Sequence, residues 1–390
     1  MTANIALSMR ERWFAQRDRL LTSPRFREAA SRFAATRPIA RQRARDLFDL
    51  VAGFVYSQWL LACVELKLFD RLAASPLTAE QLARESNLPL LSAQRLLEAA
   101  ASLGLTQARG EDEAQQTRYG LGPLGAAMVG NEAVTAMVEH HRALYADLAD
   151  PLALLRQGRG SGALAQYWAY AGAGNDGPRP ERAPGALPDA KTAPYSALMS
   201  ASQPLVAGQV LDAYPIGRHH RVLLDLGGGE GVFAAAALAR APRLKAMVFD
   251  LPAVADAARA RFARLGLADR AQAFGGDFHR DALPEGADIV SLVRVIYDHD
   301  DAPALAILRA ARRALPVGGT LLLAEPMAGA AGAEPMGAAY FGMYLMAMGS
   351  GRSRTPHELA ALLRQAGFDG IRTRPTALPL QAGLMLARAA

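Results

Sequence analysis

A glycine-rich segment near the middle of the chain combines residue types that can hold a ligand through the backbone. Asp225 ends an apolar run, and Gly227, Gly229 and Gly231 follow at alternate positions. The dinucleotide fingerprint would need its third glycine one place later, where Val232 stands. Glycines let the backbone approach a ligand closely, and the N-terminus of a following helix attracts a negative group. The spacing argues against NAD and for S-adenosylmethionine, whose carboxylate would lie at the helix end.

Two later segments carry acids in corresponding places. Asp250 ends a second apolar run and precedes Leu251, and Asp277 with Phe278 follows the glycine pair that ends a third. An acid at the second strand end can accept hydrogen bonds from both hydroxyls of a ribose. The glycine turn alone would also fit a plain α/β turn without a ligand. Three strand ends with acids and glycines instead predict one cleft.

The elements that would position these residues alternate between strand and helix. Helices are expected in most gaps, including 303–315 and 356–366. This alternation predicts an α/β fold with a mainly parallel, Rossmann-like sheet that helices cover on both faces, and its ligand cleft should lie at the carboxyl ends of the strands. The strands are expected near 221–226, 246–250, 271–275, 287–293, 319–324, 370–374 and 383–388.

The first part of the chain has a different, mostly helical pattern. Thr78 can cap a helix, a turn at Asn87 leads to a second helix over 92–103, and two short β-prone runs follow. Helix, turn, helix and hairpin form a winged helix. In a DNA-binding protein the second helix would be basic, but here Arg95 is offset by Glu98. We therefore expect this domain to join subunits and to bind no nucleic acid, which disfavours a cofactor-sensing DNA regulator.

Composition shifts divide the chain into four predicted parts. The segment 171–194 contains nine Gly or Pro residues and lacks an apolar cluster, which is typical of a mobile linker. The predicted parts are a basic N-terminal arm, a winged-helix domain, a Gly/Pro-rich linker and a cofactor-binding domain, over 1–45, 46–157, 158–194 and 195–390.

The net charge of +6 lies entirely in the first 50 residues, where eleven arginines face five acids. Aromatic residues such as Trp13 and Phe14 interrupt the arginines, as in basic helices that lie on anionic surfaces. A solvated or dimer-packing arm is the other interpretation. No uninterrupted apolar run is long enough to span a bilayer, no signal-peptide pattern is visible, and Cys63 is the single cysteine. We expect a cytoplasmic protein, with contact to the inner membrane left open.

Together these motifs resemble the class I S-adenosylmethionine-dependent O-methyltransferases that carry an N-terminal winged-helix dimerisation domain. The resemblance covers residues 46–390 apart from the linker and includes Arg354 and Thr355. Within this family, the chain is most similar to the bacterial carotenoid hydroxyl methyltransferases. The resemblance implies a homodimer that methylates the tertiary hydroxyl of an acyclic carotenoid of the demethylspheroidene or hydroxyneurosporene type.

The resemblance also implies roles for individual residues. Arg294 stands where relatives often carry a lysine near the cofactor, and Glu325 matches an acid that relatives place beside a catalytic histidine. The implied cofactor-binding residues are Asp225, Gly227, Gly229, Gly231, Asp250, Leu251, Asp277, Phe278 and Arg294.

The chain departs from the family at the position of the catalytic base. Where phenol-methylating relatives read His-Asp-Trp, this chain has Tyr297, Asp298 and His299, and Ser353 replaces a second acid. A tertiary alcohol is less acidic than a phenol, so proton loss during or after methyl transfer is expected. We hypothesise that His299 or Tyr297 accepts or relays the proton while positioning supplies most of the rate. His299 could instead fill the space of the family's tryptophan. Asp300 or Asp301 is expected to cap the next helix.

Two further features concern the acceptor. Five methionines lie at 327, 336, 343, 346 and 348, which fits either a long apolar pocket for a polyene or an ordinary helix core. His140 and His141 could reach the pocket, although exposed positions are the expectation. Neither a metal site nor a reactive cysteine is expected. The alternatives that stay open are methylation of a phenolic or polyketide hydroxyl, and a relative that hydroxylates or decarboxylates its substrate.

Overall fold

The computed structural model describes residues 8–167, 193–216, 219–329, 334, 336–377, 379 and 382–390. It contains two compact units, Met1–Val129 and Gly130–Ala390. The boundary falls before the helices that sequence analysis assigned to the first domain up to residue 157. Most of the predicted linker, 168–192, lies outside the described residues.

The first unit begins with three helices, α1 (Met9–Thr22), α2 (Pro24–Arg32) and α3 (Arg37–Glu65). Ser8 and Glu11 form a capping box that starts α1. By length and composition, α3 is the one described helix that could cross a membrane, and only 17% of its most apolar window is buried. Much of its surface is therefore open in a single copy of the chain. Cys63 is buried near its end, as expected of a core residue.

A winged helix follows, as the sequence predicts. Thr78 and Gln81 form a capping box at the first helix of the motif, and Asn87 adopts the left-handed conformation (φ 52°) that ends it. The two strands pair antiparallel around a polar loop. The elements are α4 (Leu68–Ala74), α5 (Ala79–Ser86), α6 (Leu90–Ser102), β1 (Thr106–Glu111), β2 (Thr117–Leu121) and α7 (Pro123–Ala126).

The second unit opens with four helices, α8 (Glu132–Asp147), α9 (Pro151–Gln157), α10 (Ala163–Tyr167) and α11 (Ala193–Ala213). Asp147 at the end of α8 accepts hydrogen bonds from the first two backbone N–H groups of α10. The described start of the predicted linker is therefore part of the packed unit.

Seven strands form the central sheet in the order β5-β4-β3-β6-β7-β9-β8. The first five are parallel, whereas β9 runs antiparallel to both β7 and β8. Every predicted strand is present, with bounds that differ by at most two residues. They are β3 (Val222–Leu226), β4 (Lys245–Asp250), β5 (Ala271–Gly275), β6 (Ile289–Val293), β7 (Thr320–Glu325), β8 (Phe368–Arg374) and β9 (Gly383–Ala389).

Helices cover both faces of this sheet and form two apolar core clusters. The strand order reverses between β3 and β6, and ligands of open α/β sheets bind at the carboxyl ends beside such a reversal. The remaining elements are α12 (Val232–Arg240), α13 (Pro252–Arg264), a 3₁₀ turn (Ile296–Asp298), α14 (Asp301–Arg313), a π-helical turn (Met336–Tyr340), α15 (Phe341–Met348) and α16 (Pro356–Gln365).

Candidate active site

The glycine turn after β3 has a backbone that side chains would disrupt. Gly227 has a φ of +68°, and a Cβ there would lie 2.8 Å from a methyl carbon of Val295. Gly231 has a φ of +76°, and a Cβ there would lie 2.5 Å from the Phe262 ring. The turn is tied to the next strand because the Gly227 N–H donates to the Phe249 carbonyl over 2.8 Å. Glycine is required both for conformation and for space.

Asp225 lies buried beneath this turn. Its Oδ1 accepts a hydrogen bond of 2.6 Å from the Ser291 hydroxyl, and its Oδ2 has no partner among the described residues. A Cβ on Gly228 would lie 2.5 Å from that same Oδ2. Burial, together with the nearby Asp250, raises the pKa of the Asp225 carboxyl to about 7. A buried acceptor without a partner, directly under the turn, fits the cationic end of S-adenosylmethionine.

Asp250 is positioned by two backbone donors. Its Oδ2 accepts from the Gly229 N–H over 2.8 Å, and its Oδ1 accepts from the Leu251 N–H over 2.7 Å. Each carboxylate oxygen keeps further acceptor capacity, which suits a pair of ribose hydroxyls. Burial raises the pKa of this carboxyl, and the two N–H groups oppose that rise.

The third strand end brings predicted cofactor and catalytic residues together. Asp277 accepts from the His279 N–H over 2.9 Å, which fixes the turn after β5. The buried Phe278 ring lies edge-on to His299, with 5.7 Å between ring centroids, and His279 lies 5.6 Å from the same imidazole. His299 thus lies on the side predicted for the adenine.

His299 is buried and packs against the rings of Phe278 and His279, as the space-filling interpretation expects. Burial, together with the neighbouring His279 and Arg354, lowers the pKa of its imidazole to about 3. The ring therefore stays neutral and weakly basic at physiological pH. A direct role as the base stays a prediction.

Arg294 lies at the carboxyl end of β6 with a left-handed backbone (φ 58°), which is uncommon for a residue with a side chain. Its guanidinium donates to the Ser202 hydroxyl over 2.8 Å and to the Gln203 side-chain oxygen over 2.6 Å. It also donates to the Met199 carbonyl. Arg294 thus ties α11 to the carboxyl end of β6, and its predicted contact with the cofactor stays a prediction.

Glu325 organises the turn that presents Tyr297. Its Oε1 accepts from the backbone N–H groups of Val295 and Ile296 over 3.1 and 2.7 Å, while Oε2 has no described partner. Burial raises the pKa of this carboxyl to about 7. Glu325 therefore acts through the backbone of the turn, in a positioning role.

Sequence reasoning missed the buried Arg354 as the second support of the same turn. Its guanidinium donates to the carbonyls of Ile296 and His299 over 2.9 and 2.7 Å, and its Nε donates to Asp301. The family resemblance included Arg354 only as part of a motif. The structure assigns it the task of closing the loop from Ile296 to Asp301.

The predicted helix cap next to this loop is only half right. Asp300 stands at the N-cap position of α14, but its side chain makes no capping hydrogen bond. It binds Arg159 over 2.8 Å and the Gly351 N–H over 3.1 Å. Tertiary partners have replaced the local cap.

Tyr297 and Asp298 are both buried in the 3₁₀ turn. The Tyr297 ring lies edge-on to Phe341 with centroids 5.9 Å apart. Burial raises the pKa of the Tyr297 phenol well above its usual range, so a phenolate is unfavourable. Burial and the nearby Glu325 raise the pKa of the Asp298 carboxyl. Within the described residues, no three His, Cys, Asp or Glu side chains are grouped as a metal site requires.

The expectation that His140 and His141 are exposed is wrong. Both are partly buried, and each lies close to a tyrosine that is 204 or 199 positions later in the sequence. His140 Nε2 lies 3.0 Å from the Tyr344 hydroxyl, and His141 Nε2 lies 2.7 Å from the Tyr340 hydroxyl. Burial lowers the pKa of both imidazoles, that of His140 to about 4. The signal that sequence reasoning lacked is the packing of α8 against α15.

The methionine-rich segment divides between two environments. Met327 belongs to the core of the sheet, so it fits the ordinary-core interpretation. Met343, Met346 and Met348 instead belong to a cluster with Tyr297 and Tyr344. This second group gives the surroundings of Tyr297 an apolar, aromatic character.

Comparison with known proteins identifies both parts of the chain. Residues 186–369 match the O-methyltransferase domain, and residues 48–131 match the O-methyltransferase dimerisation domain. Demethylspheroidene O-methyltransferase of Cereibacter sphaeroides is 40% identical over 95% of this chain and 93% of its own length. The enzyme of the same name from Rhodobacter capsulatus is 37% identical over 93% of this chain and 86% of its own.

The chain belongs to the O-methyltransferase family. Its fold agrees with human N-acetylserotonin methyltransferase solved in complex with SAM (S-adenosylmethionine), at a TM-score of 0.71 and 25% identity over 89% of this chain and 97% of that one. The predictions of a class I fold, an O-methyltransferase and S-adenosylmethionine as methyl donor are confirmed. The match to a dimerisation domain supports the predicted homodimer.

Proposed function

We propose that this O-methyltransferase methylates the tertiary hydroxyl of an acyclic carotenoid of the demethylspheroidene or hydroxyneurosporene type. The observation that carries the proposal is the 40% identity to a demethylspheroidene O-methyltransferase across nearly the whole of both chains. The apolar cluster of α15 with Tyr297 supports an acceptor that is long and apolar. The replacement of the family's histidine at position 297 supports an aliphatic hydroxyl over a phenol.

Different residues of this chain would bind the methyl donor and align the acceptor. S-adenosylmethionine supplies a methyl group on a positively charged sulfur, which makes the sulfur a good leaving group. Asp250 would hold the ribose, and the glycine turn with Asp225 would hold the methionine end. The loop supported by Glu325 and Arg354 would align the acceptor, since alignment supplies much of the rate of such a displacement.

The experiment is incubation of the purified protein with methyl-labelled S-adenosylmethionine and a panel of acceptors. The panel contains hydroxylated acyclic carotenoids, the same carotenoids without the hydroxyl, and phenols. We expect label in the methyl ether of the hydroxylated carotenoids alone. Label confined to phenols would contradict the proposal and support the phenolic alternative. A hydroxylated or decarboxylated product would contradict it and support a relative that hydroxylates or decarboxylates its substrate.

We also propose that the basic arm places the enzyme at the cytoplasmic surface of the inner membrane, where a carotenoid would be found. None of the residues of α1 is buried, and Arg17 lies over the rings of Trp13 and Phe14. Arginine and aromatic side chains on one helix suit an anionic interface. Flotation with anionic vesicles should recover the full chain but much less of a variant without residues 1–36, which leaves α3 whole; equal recovery would contradict this proposal.

A further inference from the structure

We infer that His140 and Tyr344 form a relay that takes the proton of the acceptor hydroxyl during methyl transfer. The inference rests on the proposed O-methylation of an alcohol. It supplies the function that the family gives to a histidine at the position of Tyr297.

The geometry places the relay next to that position. Tyr344 is 5% exposed, and its hydroxyl lies 3.0 Å from Nε2 of His140. Its ring lies edge-on to Phe341 at 6.4 Å between centroids, and Phe341 lies edge-on to Tyr297 at 5.9 Å. Tyr344 and the side chain at the family's base position therefore pack on the same Phe341 ring, in one apolar cluster.

The direction of the hydrogen bond decides what the pair can do. If the Tyr344 hydroxyl donates to Nε2, the lone pairs of its oxygen remain able to accept from an acceptor O–H. The acceptor oxygen would then be oriented by its own proton, with a lone pair left to face the methyl group. This arrangement requires the ring proton of His140 to be on Nδ1.

The step balances without a further reagent. The acceptor oxygen forms a bond to the methyl carbon as the carbon–sulfur bond breaks, and that bond's electron pair stays on sulfur. The acceptor proton moves to the Tyr344 oxygen, and the Tyr344 proton moves to Nε2 of His140. His140, which is partly exposed, then releases a proton to water.

The surroundings keep the pair in the required state. Burial and the neighbouring His141 hold the imidazole of His140 neutral, so it can accept a proton. Burial, with Tyr340 and Asp298 nearby, keeps the Tyr344 phenol protonated, although Arg294 opposes this effect. A methylated alcohol oxygen that still carries its proton is a strong acid, so even a weak base suffices.

The neighbouring pair offers a matched control. His141 and Tyr340 make a similar hydrogen bond of 2.7 Å between the same two segments, and the Tyr340 ring stacks on Tyr344. Tyr340 is less deeply buried than Tyr344. Changing His141 tests the structural value of such a contact while the hydrogen-bonding groups of His140 and Tyr344 stay in place.

The first test compares Tyr344→Phe, His140→Gln and His141→Gln with the labelled donor and whichever hydroxyl acceptor the panel identifies. We expect kcat to fall about 100-fold in the first two variants, with the acceptor KM changed little. The double variant should fall no further than either single variant, because the two residues act as one unit. His141→Gln should keep kcat within about threefold of wild type, the loss expected of one partly exposed hydrogen bond.

The second test does not depend on an acceptor. Nitrogen-15 NMR of the full-length protein should show His140 protonated on Nδ1, with Nε2 shifted when Tyr344 is changed to Phe. A proton on Nε2 would overturn the relay, and so would near wild-type kcat in Tyr344→Phe. If the wild-type protein methylates no carotenoid, the proposed substrate is wrong. The relay is still tested by the His140 tautomer and by the kcat of the variants with another hydroxyl acceptor.

Discussion

In the half of the site proposed to bind the methyl donor (the donor half), Gly229 and the Asp250 carboxylate that binds its N–H are 21 positions apart in sequence. In the half proposed to bind the acceptor (the acceptor half), His140 and the Tyr344 hydroxyl are 204 positions apart. The donor half is built from backbone groups and acids at the ends of adjacent parallel strands. The acceptor half is built from side chains on helices that meet only through tertiary packing.

This difference has a physical origin. A nucleoside cofactor is bound largely by backbone N–H groups and carboxylates, and a βα unit presents these in the same way wherever it occurs. An apolar acceptor can be recognised only by its shape and by one hydroxyl, so side chains from any element can bind it. We therefore expect changes in the donor half to alter donor affinity, and changes in the acceptor half to alter stability and turnover.

The largest effect is expected for Arg354→Met in the acceptor half. Its side chain is 1% exposed, and removing it takes the Arg354 donor from the buried carbonyl of His299 and one of two donors from that of Ile296. We expect the free energy of unfolding to fall by about 3 kcal/mol, measured by urea denaturation. Arg352→Met is the control because Arg352 pairs with the same Asp301 but is 43% exposed, so its loss should cost less than about 1 kcal/mol. Equal losses would show that burial is not the cause.

In the donor half, Asp250→Ala should weaken S-adenosylmethionine binding by about 100-fold, because a charged acceptor of several hydrogen bonds is removed. Isothermal titration calorimetry measures the change directly. Asp256→Ala is the control, since Asp256 is an exposed acid on the following helix and pairs with Arg259. A similar loss of affinity in both variants would indicate a general charge effect.

A third prediction uses pH to distinguish the hydrogen bonds that Glu325 makes to the loop from the effect of its negative charge. Glu325 has its pKa raised from 4.5 to about 7 in the folded protein, so between these values the unfolded chain releases its proton first. Wild type should therefore lose stability as pH rises through this window, whereas Glu325→Gln cannot ionise and keeps an oxygen for the same two N–H groups. The variant should gain about 2 kcal/mol over wild type between pH 4.5 and 7. Parallel pH profiles of unfolding free energy would contradict the raised pKa.

The smallest effect is expected for Asp300→Ala. Asp300 stands at the N-cap of α14 without a capping bond, and its pairing with Arg159 is largely exposed. Its loss should change the free energy of unfolding by less than about 1 kcal/mol. Thr355→Ala, which removes a true capping box on α16, should cost about 1 kcal/mol or more. Thermal unfolding of the two variants compares these losses, and a larger loss for Asp300→Ala than for Thr355→Ala would contradict the prediction.

The sequence allowed most of the fold to be predicted because local rules apply there. Thr78 and Asn87 begin and end a helix by capping, and apolar runs followed by glycines or acids locate the strands. The roles of Arg354, Arg294 and His140 could not be predicted in this way. Each depends on partners brought close by the packing of distant segments, and a buried arginine or histidine has no periodic signature. Asp300 is a smaller example of this limit. Its position predicts a helix cap, but its side chain binds a tertiary partner instead.

The single cysteine has a practical consequence. Cys63 is fully buried in the dimerisation domain, and burial raises the pKa of its thiol to about 12. Thiol reagents react with the thiolate, so the folded chain should be nearly inert to them at neutral pH. The rate at which such a reagent labels this protein therefore reports how often the helical unit opens, and the natural chain contains this reporter without any engineering.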